Sequence, residues 1–170
     1  MVGSVGAVLL GIAGVIAFGI PGQSKGGIEV LNLAADETLF VAGVAVESAN
    51  VKARGSGSQI IAVAKEGRLV RFGTAMVQDR LDTRALIAAP AKFEDRPDQA
   101  GRVQVTSDPP GCFVMLQGAT DAAQKAPATF AVSPGFPRTV EVACPGRGLW
   151  SEQILAVPGQ SILLSVSPPL

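Results

Sequence analysis

The sequence predicts a mainly β fold, in which one N-terminal transmembrane helix is followed by two small antiparallel β-sandwich domains. Three observations lead to this prediction. The chain opens on an uncharged apolar stretch, its 20 glycines and 12 prolines are spread along it as turn positions, and the apolar pattern of its first half recurs in its second half. The predicted boundaries are 1–22 for the helix, 26–78 and 101–170 for the β domains, and 79–100 for the linker between them.

The uncharged stretch is Val2–Ile20, and Pro21-Gly22 ends it. A helix of this length rises about 28 Å, which is close to the hydrocarbon thickness of a bilayer. One alternative is a cleaved signal peptide with Ala17-Phe18-Gly19 as its cleavage site, but no basic residue precedes Val2. The other alternative is a buried helix of a soluble protein. The stretch therefore predicts a retained membrane span.

Small residues form a stripe along this predicted helix. Gly3, Ala7 and Gly11 recur at four-residue spacing, and Gly14 lies close to the same face. Such a stripe allows a partner helix to approach closely, although glycine and alanine are also common in membrane helices generally. Only Lys25 counts for the positive-inside rule, which weakly favours a cytoplasmic C-terminal body. The short uncharged N-terminus instead fits a signal anchor, with the β domains outside the cytoplasm.

An internal repeat is visible at two offsets. The aligned positions are Ile28 with Val103, Val30 with Val105, Leu39 with Val114, Val41 with Leu116 and Gly43 with Gly118 at an offset of 75, and Ile61 with Val140, Val63 with Val142 and Gly67 with Gly146 at an offset of 79. Chance matching of short apolar strands is the alternative. Two copies are too few for a solenoid, so the repeat predicts two tandem β domains.

A strand, a tight turn and a returning strand open the second domain. Val103 and Val105 alternate with polar neighbours, Asp108–Gly111 has the prolines and glycine of a tight turn, and Cys112–Leu116 returns as an apolar strand. In the linker, Asp79–Ala88 has the apolar spacing of a short helix. The charges that follow it are of mixed sign, which is typical of a solvated surface.

The composition argues against catalysis and against nucleic-acid binding. The net charge is zero, from 14 basic and 14 acidic residues, so there is no basic field to hold nucleic acid. The chain has no histidine, which is the commonest general base and metal ligand, and two cysteines alone cannot build a structural zinc site. Ser56 and Ser58 lie in a glycine-rich loop without the lysine of a phosphate-binding loop. We therefore predict no enzyme activity, no catalytic residue, no metal and no cofactor.

Four residues of the second domain are candidates for a structural or contact role. Cys112 begins one predicted strand and Cys144 ends another, so in a sandwich these ends can meet and form a disulfide in an oxidising compartment. The alternative is two small buried hydrophobic residues. Phe136 and Trp150 are candidate exposed aromatics for a contact, although packing in the core is the commoner role for such side chains.

Gly101–Leu170 also follows a recognisable order of strand, Ser-x-Pro-x-Gly turn, apolar strand and Pro-Gly turn. The matching positions are Ser107, Asp108, Pro109, Gly111, Cys112, Gly118, Pro127, Pro134-Gly135, Val140, Val142 and Gly146. In these positions the segment resembles the PEGA domain, a small bacterial β-sandwich, and Gly26–Gln78 resembles a degenerate copy without the proline turn. The departures are Cys112 in place of the usual alanine, Gln117 in place of an acidic residue, and Leu149-Trp150 in place of the usual aromatic directly after Gly146.

The resemblance implies a module that usually sits outside the cytoplasm, is often anchored by one helix, and serves in adhesion, scaffolding or sensing without catalytic residues. The chain is therefore predicted to be a non-catalytic, membrane-anchored scaffold subunit that stabilises a larger bacterial membrane complex. Its predicted partners are the lipid bilayer and other membrane subunits, with one pass through the inner membrane and periplasmic β domains. The alternative is an extracytoplasmic module for sensing or for binding cell-envelope glycan, which needs an aromatic or polar cluster at one sandwich end.

Overall fold

A computed structural model describes residues 26–52, 56–78, 83–87, 99–118 and 122–170 of the 170-residue chain. The described residues are mainly β, which confirms the predicted fold class at that level. Within these ranges, no helix is long and apolar enough to cross a membrane. Residues 1–25, with the predicted span and its packing face of Gly3, Ala7, Gly11 and Gly14, lie outside the described residues.

The strands of the described residues are β1 (Gly27–Val30), β2 (Glu37–Val41), β3 (Val44–Val46), β4 (Asn50–Lys52), β5 (Gly57–Lys65), β6 (Arg68–Val77), β7 (Thr83–Ala85), β8 (Gly101–Ser107), β9 (Phe113–Leu116), β10 (Gln124–Lys125), β11 (Ala128–Val132), β12 (Arg138–Ala143), β13 (Leu149–Ile154) and β14 (Ser161–Val166).

These strands form three sheets. The large sheet has eight strands in the order β10-β9-β12-β13-β3-β2-β5-β6, and two small sheets have the orders β4-β1-β7 and β11-β8-β14. The pairs β1–β7 and β8–β14 are parallel, so the prediction of purely antiparallel sandwiches is wrong. In both cases the chain crosses from the large sheet to a small one before the last strand. That strand therefore arrives running in the same direction as the first.

The two copies of the sequence repeat have the same order of strands in their sheets. The N-terminal unit (β1–β7) contributes β4-β1-β7 and β3-β2-β5-β6, and the C-terminal unit (β8–β14) contributes β11-β8-β14 and β10-β9-β12-β13. The offset that relates the two units is 75 at their first strands and 79 further along. Ile28 pairs with Val51, and its counterpart Val103 pairs with Phe130, which lies at an offset of 79 from Val51. Four additional residues therefore enter the C-terminal unit between β9 and β11.

Each unit encloses its own apolar core between its small sheet and its part of the large sheet. The buried residues at the repeated positions are Ile28, Val30, Leu39, Val41, Ile61 and Val63 in the N-terminal unit, and Val103, Val105, Val114, Leu116, Val140 and Val142 in the C-terminal unit. The apolar positions that define the repeat in the sequence are thus core positions in both units.

The segment predicted as a short helix, Asp79–Ala88, contains strand β7 instead, so that prediction is wrong for Thr83–Ala85. β7 pairs with β1, and its two-residue alternation continues past its end. Ala85 and Ile87 are buried, whereas Leu86 between them is exposed. The apolar residues that favour a helix in the sequence are Leu81, Leu86 and Ile87, but pairing with β1 sets the conformation of Thr83–Ala85.

A polar network fixes the end of β7 on the large sheet. Arg71 of β6 donates hydrogen bonds to the carbonyl oxygens of Ile87 (3.2 Å) and Asn32 (3.0 Å), and it forms an ion pair with Glu37. The Asn32 side-chain amide donates to the Ile87 carbonyl at 2.7 Å. Both charged side chains are largely shielded from water, so removing one partner would leave the other charge poorly compensated.

The two units meet at a contact that we name the joint, where the end of β13 lies beside β3. Ile154 pairs with Val44, and the Leu155 N–H donates a hydrogen bond to the Gly43 carbonyl at 2.9 Å. The large sheet therefore runs from one unit into the other through backbone hydrogen bonds.

An apolar cluster covers the joint on the outer face of the N-terminal part of the large sheet. Phe40 of β2 and Leu155 are both fully buried in it. The Leu69 N–H of β6 donates to the Gly135 carbonyl at 2.8 Å beside this cluster. The remaining buried members are Ala62, Ala64, Leu69 and Val157. Both faces of this part of the sheet are thus covered, one by the small sheet of its own unit and the other by the C-terminal unit.

Gly43 offers a test of the joint, because its φ of +85° and its surroundings both favour glycine. A Cβ at this position would lie 2.6 Å from Cγ1 of Ile162, whereas Gly111, with φ of +82°, has nothing within 4 Å of such a Cβ. We expect Gly43→Ala to lower the free energy of unfolding by about 2–5 kcal/mol and Gly111→Ala by about 1 kcal/mol. Chemical denaturation measures both values. Equal losses would show that crowding at Gly43 contributes nothing.

Candidate interaction surface

An exposed apolar surface lies on the outer face of the C-terminal part of the large sheet. The register places Phe113, Ala143 and Leu149 side by side on β9, β12 and β13, and it places Met115 beside Glu141 in the next row. Such cross-strand neighbours point to the same side of the sheet. Phe113 and Met115 are each 46% exposed, and Leu149 is 62% exposed. The surface of Phe113, Met115, Ala143 and Leu149 is named the apolar patch.

The alternation along β9 explains why this strand has apolar side chains on both faces. Val114 and Leu116 face the core, so Phe113 and Met115 face outward. The uninterrupted apolar run of this strand was the sequence signal for the patch, and sequence reasoning interpreted it only as a strand. The opposite outer face of the unit, on β8 and β11, is instead polar at the exposed positions Arg102, Gln104, Thr106 and Thr129.

Two charged side chains border the apolar patch. The Lys125 ammonium lies 5.7 Å from the centre of the Phe113 ring, which is a cation–π distance. The Glu141 carboxylate lies on the same face as Met115 and accepts a hydrogen bond from the Gln117 side chain at 3.3 Å. The patch therefore has one positive and one negative neighbour at its margin.

A disulfide between Cys112 and Cys144 lies at one end of the patch. The two cysteines directly precede Phe113 and follow Ala143, which are paired across β9 and β12. Their Cα atoms are 4.4 Å apart, and both side chains are buried. The disulfide thus links the two strands that provide most of the patch and opposes any slip of their register.

The two predicted contact aromatics occupy different environments. Trp150 lies on the inner face of β13 beside Val142 and packs, partly buried, against the C-terminal core. Phe136 is exposed in the turn before β12, and the guanidinium carbon of Arg68 lies 5.8 Å from its ring centre. Neither residue belongs to the apolar patch, whose aromatic side chain is Phe113.

The acidic side chains and cysteines of the described residues are the candidates for holding a metal ion. Among these residues, no group of three or more cysteine, aspartate or glutamate side chains is arranged to hold a metal ion. Asp36 and Lys65 form an exposed ion pair at 2.7 Å in the N-terminal unit. The hydrogen bond from Lys65 holds the pKa of Asp36 below its usual value, as expected of a surface ion pair.

Removing the disulfide should destabilise the C-terminal unit. We expect Cys112→Ala combined with Cys144→Ala to lower the free energy of unfolding by about 2–4 kcal/mol, because the bond constrains the unfolded chain between residues 32 positions apart. Chemical denaturation of the wild-type chain with and without a reductant is the matched control. If the reductant leaves the stability unchanged, the two cysteines act only as buried apolar side chains.

Comparisons of the chain with protein-family models, with curated proteins and with solved structures found no match. The resemblance to the PEGA domain stays a prediction from the sequence. Function is therefore inferred from the apolar patch, from its charged neighbours and from the internal repeat.

Proposed function

We propose that this protein is a non-catalytic, membrane-anchored accessory subunit that stabilises a larger bacterial membrane complex by docking its β units onto other proteins. The observation that supports this most directly is the apolar patch. One outer face of the C-terminal unit exposes Phe113, Met115 and Leu149, whereas the exposed positions of β8 on the opposite outer face are polar. Apolar area that is concentrated on one face is typical of an interaction site.

The proposal assigns the membrane anchor to a helix over residues 1–22, because Val2–Ile20 carries no charge. Two PEGA-like sandwich units then follow outside the cytoplasm, in the periplasm of a bacterial cell. The disulfide of Cys112 and Cys144 supports this location, since such bonds persist in oxidising compartments. The small residues of the anchor provide a second surface for other membrane subunits.

The sensing or glycan-binding alternative has less support. It calls for aromatic or polar side chains gathered at one end of a sandwich. Trp150 packs against the core, and the Phe136 ring lies beside Arg68. These two aromatics are therefore engaged within the chain, and a flat apolar face favours a protein partner over a sugar.

The first experiment is the native mass of the chain after extraction in mild detergent, with the co-migrating proteins identified by mass spectrometry. The proposal expects a discrete large complex with fixed partners. A chain that migrates without other proteins, as a monomer or a small homo-oligomer, would contradict it.

Substitution in the apolar patch tests the docking surface directly. We expect Phe113→Gln combined with Met115→Gln to reduce the amount of co-migrating partner by about tenfold or more, because central apolar side chains supply most of the binding free energy of an interface. The matched control is Gln104→Ala combined with Thr129→Ala on the polar face, which should leave the complex intact. Both variants change exposed side chains, and their melting temperatures verify the fold. Equal loss of partner in both variants would remove the patch as the docking site.

A further inference from the structure

The joint has two different sides, and the counterpart of each side is exposed elsewhere on the molecule. In the repeat, β13 is the counterpart of β6, and β3 is the counterpart of β10. The joint thus places β13 of one unit beside β3 of the other. The two edge strands of the eight-stranded sheet are β6, the counterpart of β13, and β10, the counterpart of β3. Each edge of the large sheet is therefore equivalent to one of the two strands that pair in the joint.

At the β6 end, Met76 is the counterpart of Leu155 at an offset of 79. Leu155 is fully buried in the joint, whereas Met76 is 62% exposed. The Met76 carbonyl points away from β5, since it accepts a hydrogen bond from the Thr83 hydroxyl at 3.1 Å. Strand alternation then places the backbone groups of Thr74 and Phe72 on the same open edge. This end therefore offers an edge strand and an exposed apolar side chain, as β13 and Leu155 do in the joint.

At the β10 end, Met115 is the counterpart of Phe40 at an offset of 75. Phe40 is fully buried in the same cluster as Leu155, whereas Met115 is exposed in the apolar patch. The apolar patch is thus the counterpart of the face that receives Leu155 within the chain. Among the described residues, β10 is the last strand on this side of the large sheet, and no further unit covers the patch.

At two further positions, an apolar residue of the joint corresponds to a polar residue on an exposed side. Gln78 stands at the counterpart of Val157, and Glu141 stands at the counterpart of Ala62, each at an offset of 79. Val157 and Ala62 belong to the apolar cluster of the joint. An amide and a carboxylate can replace such an apolar contact by a hydrogen bond, because the amide donates and the carboxylate accepts. The two exposed sides therefore remain complementary in polarity.

We propose that the apolar patch binds a second copy of this chain, which places Met76 against Met115 and its β6 edge beside β10. This inference rests on the proposed function, since it names a partner for the same surface. The contact is head-to-tail and leaves one free side at each end, so it builds open chains, or rings where the rotation closes. The contact joins separate chains, whereas the joint lies within one chain, so self-association depends on concentration.

The test uses the full chain in mild detergent and two variants that each block one side. Met76→Lys blocks the inserting side, and Met115→Lys blocks the receiving side, where the new charge lies beside Glu141. Thr129→Lys, on the polar face, is the control for the added charge. Sedimentation velocity over a range of concentrations measures the oligomers. We expect a concentration-dependent series for the wild-type chain and the control, and self-association weakened about tenfold or more in each variant.

The equimolar mixture of the two variants distinguishes this contact from others. Met115→Lys retains a free inserting side and Met76→Lys retains a free receiving side, so the mixture should form dimers and nothing longer. Oligomers that persist unchanged in both variants, as association through the N-terminal segment would produce, overturn the inference. A wild-type chain that stays monomeric at the highest concentration also overturns it. If Met115→Lys loses other proteins while self-association is unaffected, the proposed function stands and this inference fails.

Hydrogen exchange gives a second readout at the resolution of single residues. In the dilute chain the Thr74 amide should exchange fast and the Gly73 and Ala75 amides slowly, because only the latter two face β5. On self-association the Thr74 and Met76 amides should become protected, with little change at their neighbours. Protection that spreads evenly along β6 would contradict strand pairing at its free edge.

Discussion

The burial of Phe40 and Leu155 in one cluster is the contact on which the arrangement of the two units depends. Each unit alone leaves two edge strands in its part of the large sheet, and exposed edges invite unwanted pairing. The joint uses one edge of each unit and covers Phe40, an aromatic whose removal from a core costs about 3–5 kcal/mol. Gly43 permits the close approach, since a side chain there would collide with Ile162. This contact thus joins the two units into one eight-stranded sheet and buries the outer face of its N-terminal part. It also decides that β6 and β10 remain as the edge strands.

The two units keep the same core and close the ends of their sandwiches by different means. At the positions of Cys112 and Cys144, the N-terminal unit has Glu37 and Lys65, which are directly paired across β2 and β5. Glu37 binds Arg71 there, and Arg71 is the counterpart of Trp150. A disulfide with a partly buried indole in one unit therefore corresponds to a network of charges in the other. Both solutions fix the register of the same two strands.

The sequence predicts which positions are buried far better than what covers them. The repeated apolar positions of β1, β2 and β5 and their counterparts could be found because alternation depends on local geometry. The joint and the patch could not be found in this way, because Phe40 and Met115 occupy equivalent outward positions on equivalent strands. Only the chain crossing after β13 decides that the first is buried and the second exposed. The parallel strands β7 and β14 were missed for the same reason, since direction follows from the crossing and not from the residues of the strand.

The free ends also differ in how they discourage non-specific pairing. β10 has two residues, one of them Lys125, so it offers little backbone to a foreign strand. β6 is long, but the Gly135 carbonyl accepts from its Leu69 amide near one end, and Thr83 donates to its Met76 carbonyl near the other. Short or partly capped edges contribute little affinity by themselves. A partner must therefore also match the apolar patch, and this requirement favours a surface shaped like the one that already binds the same face within the chain.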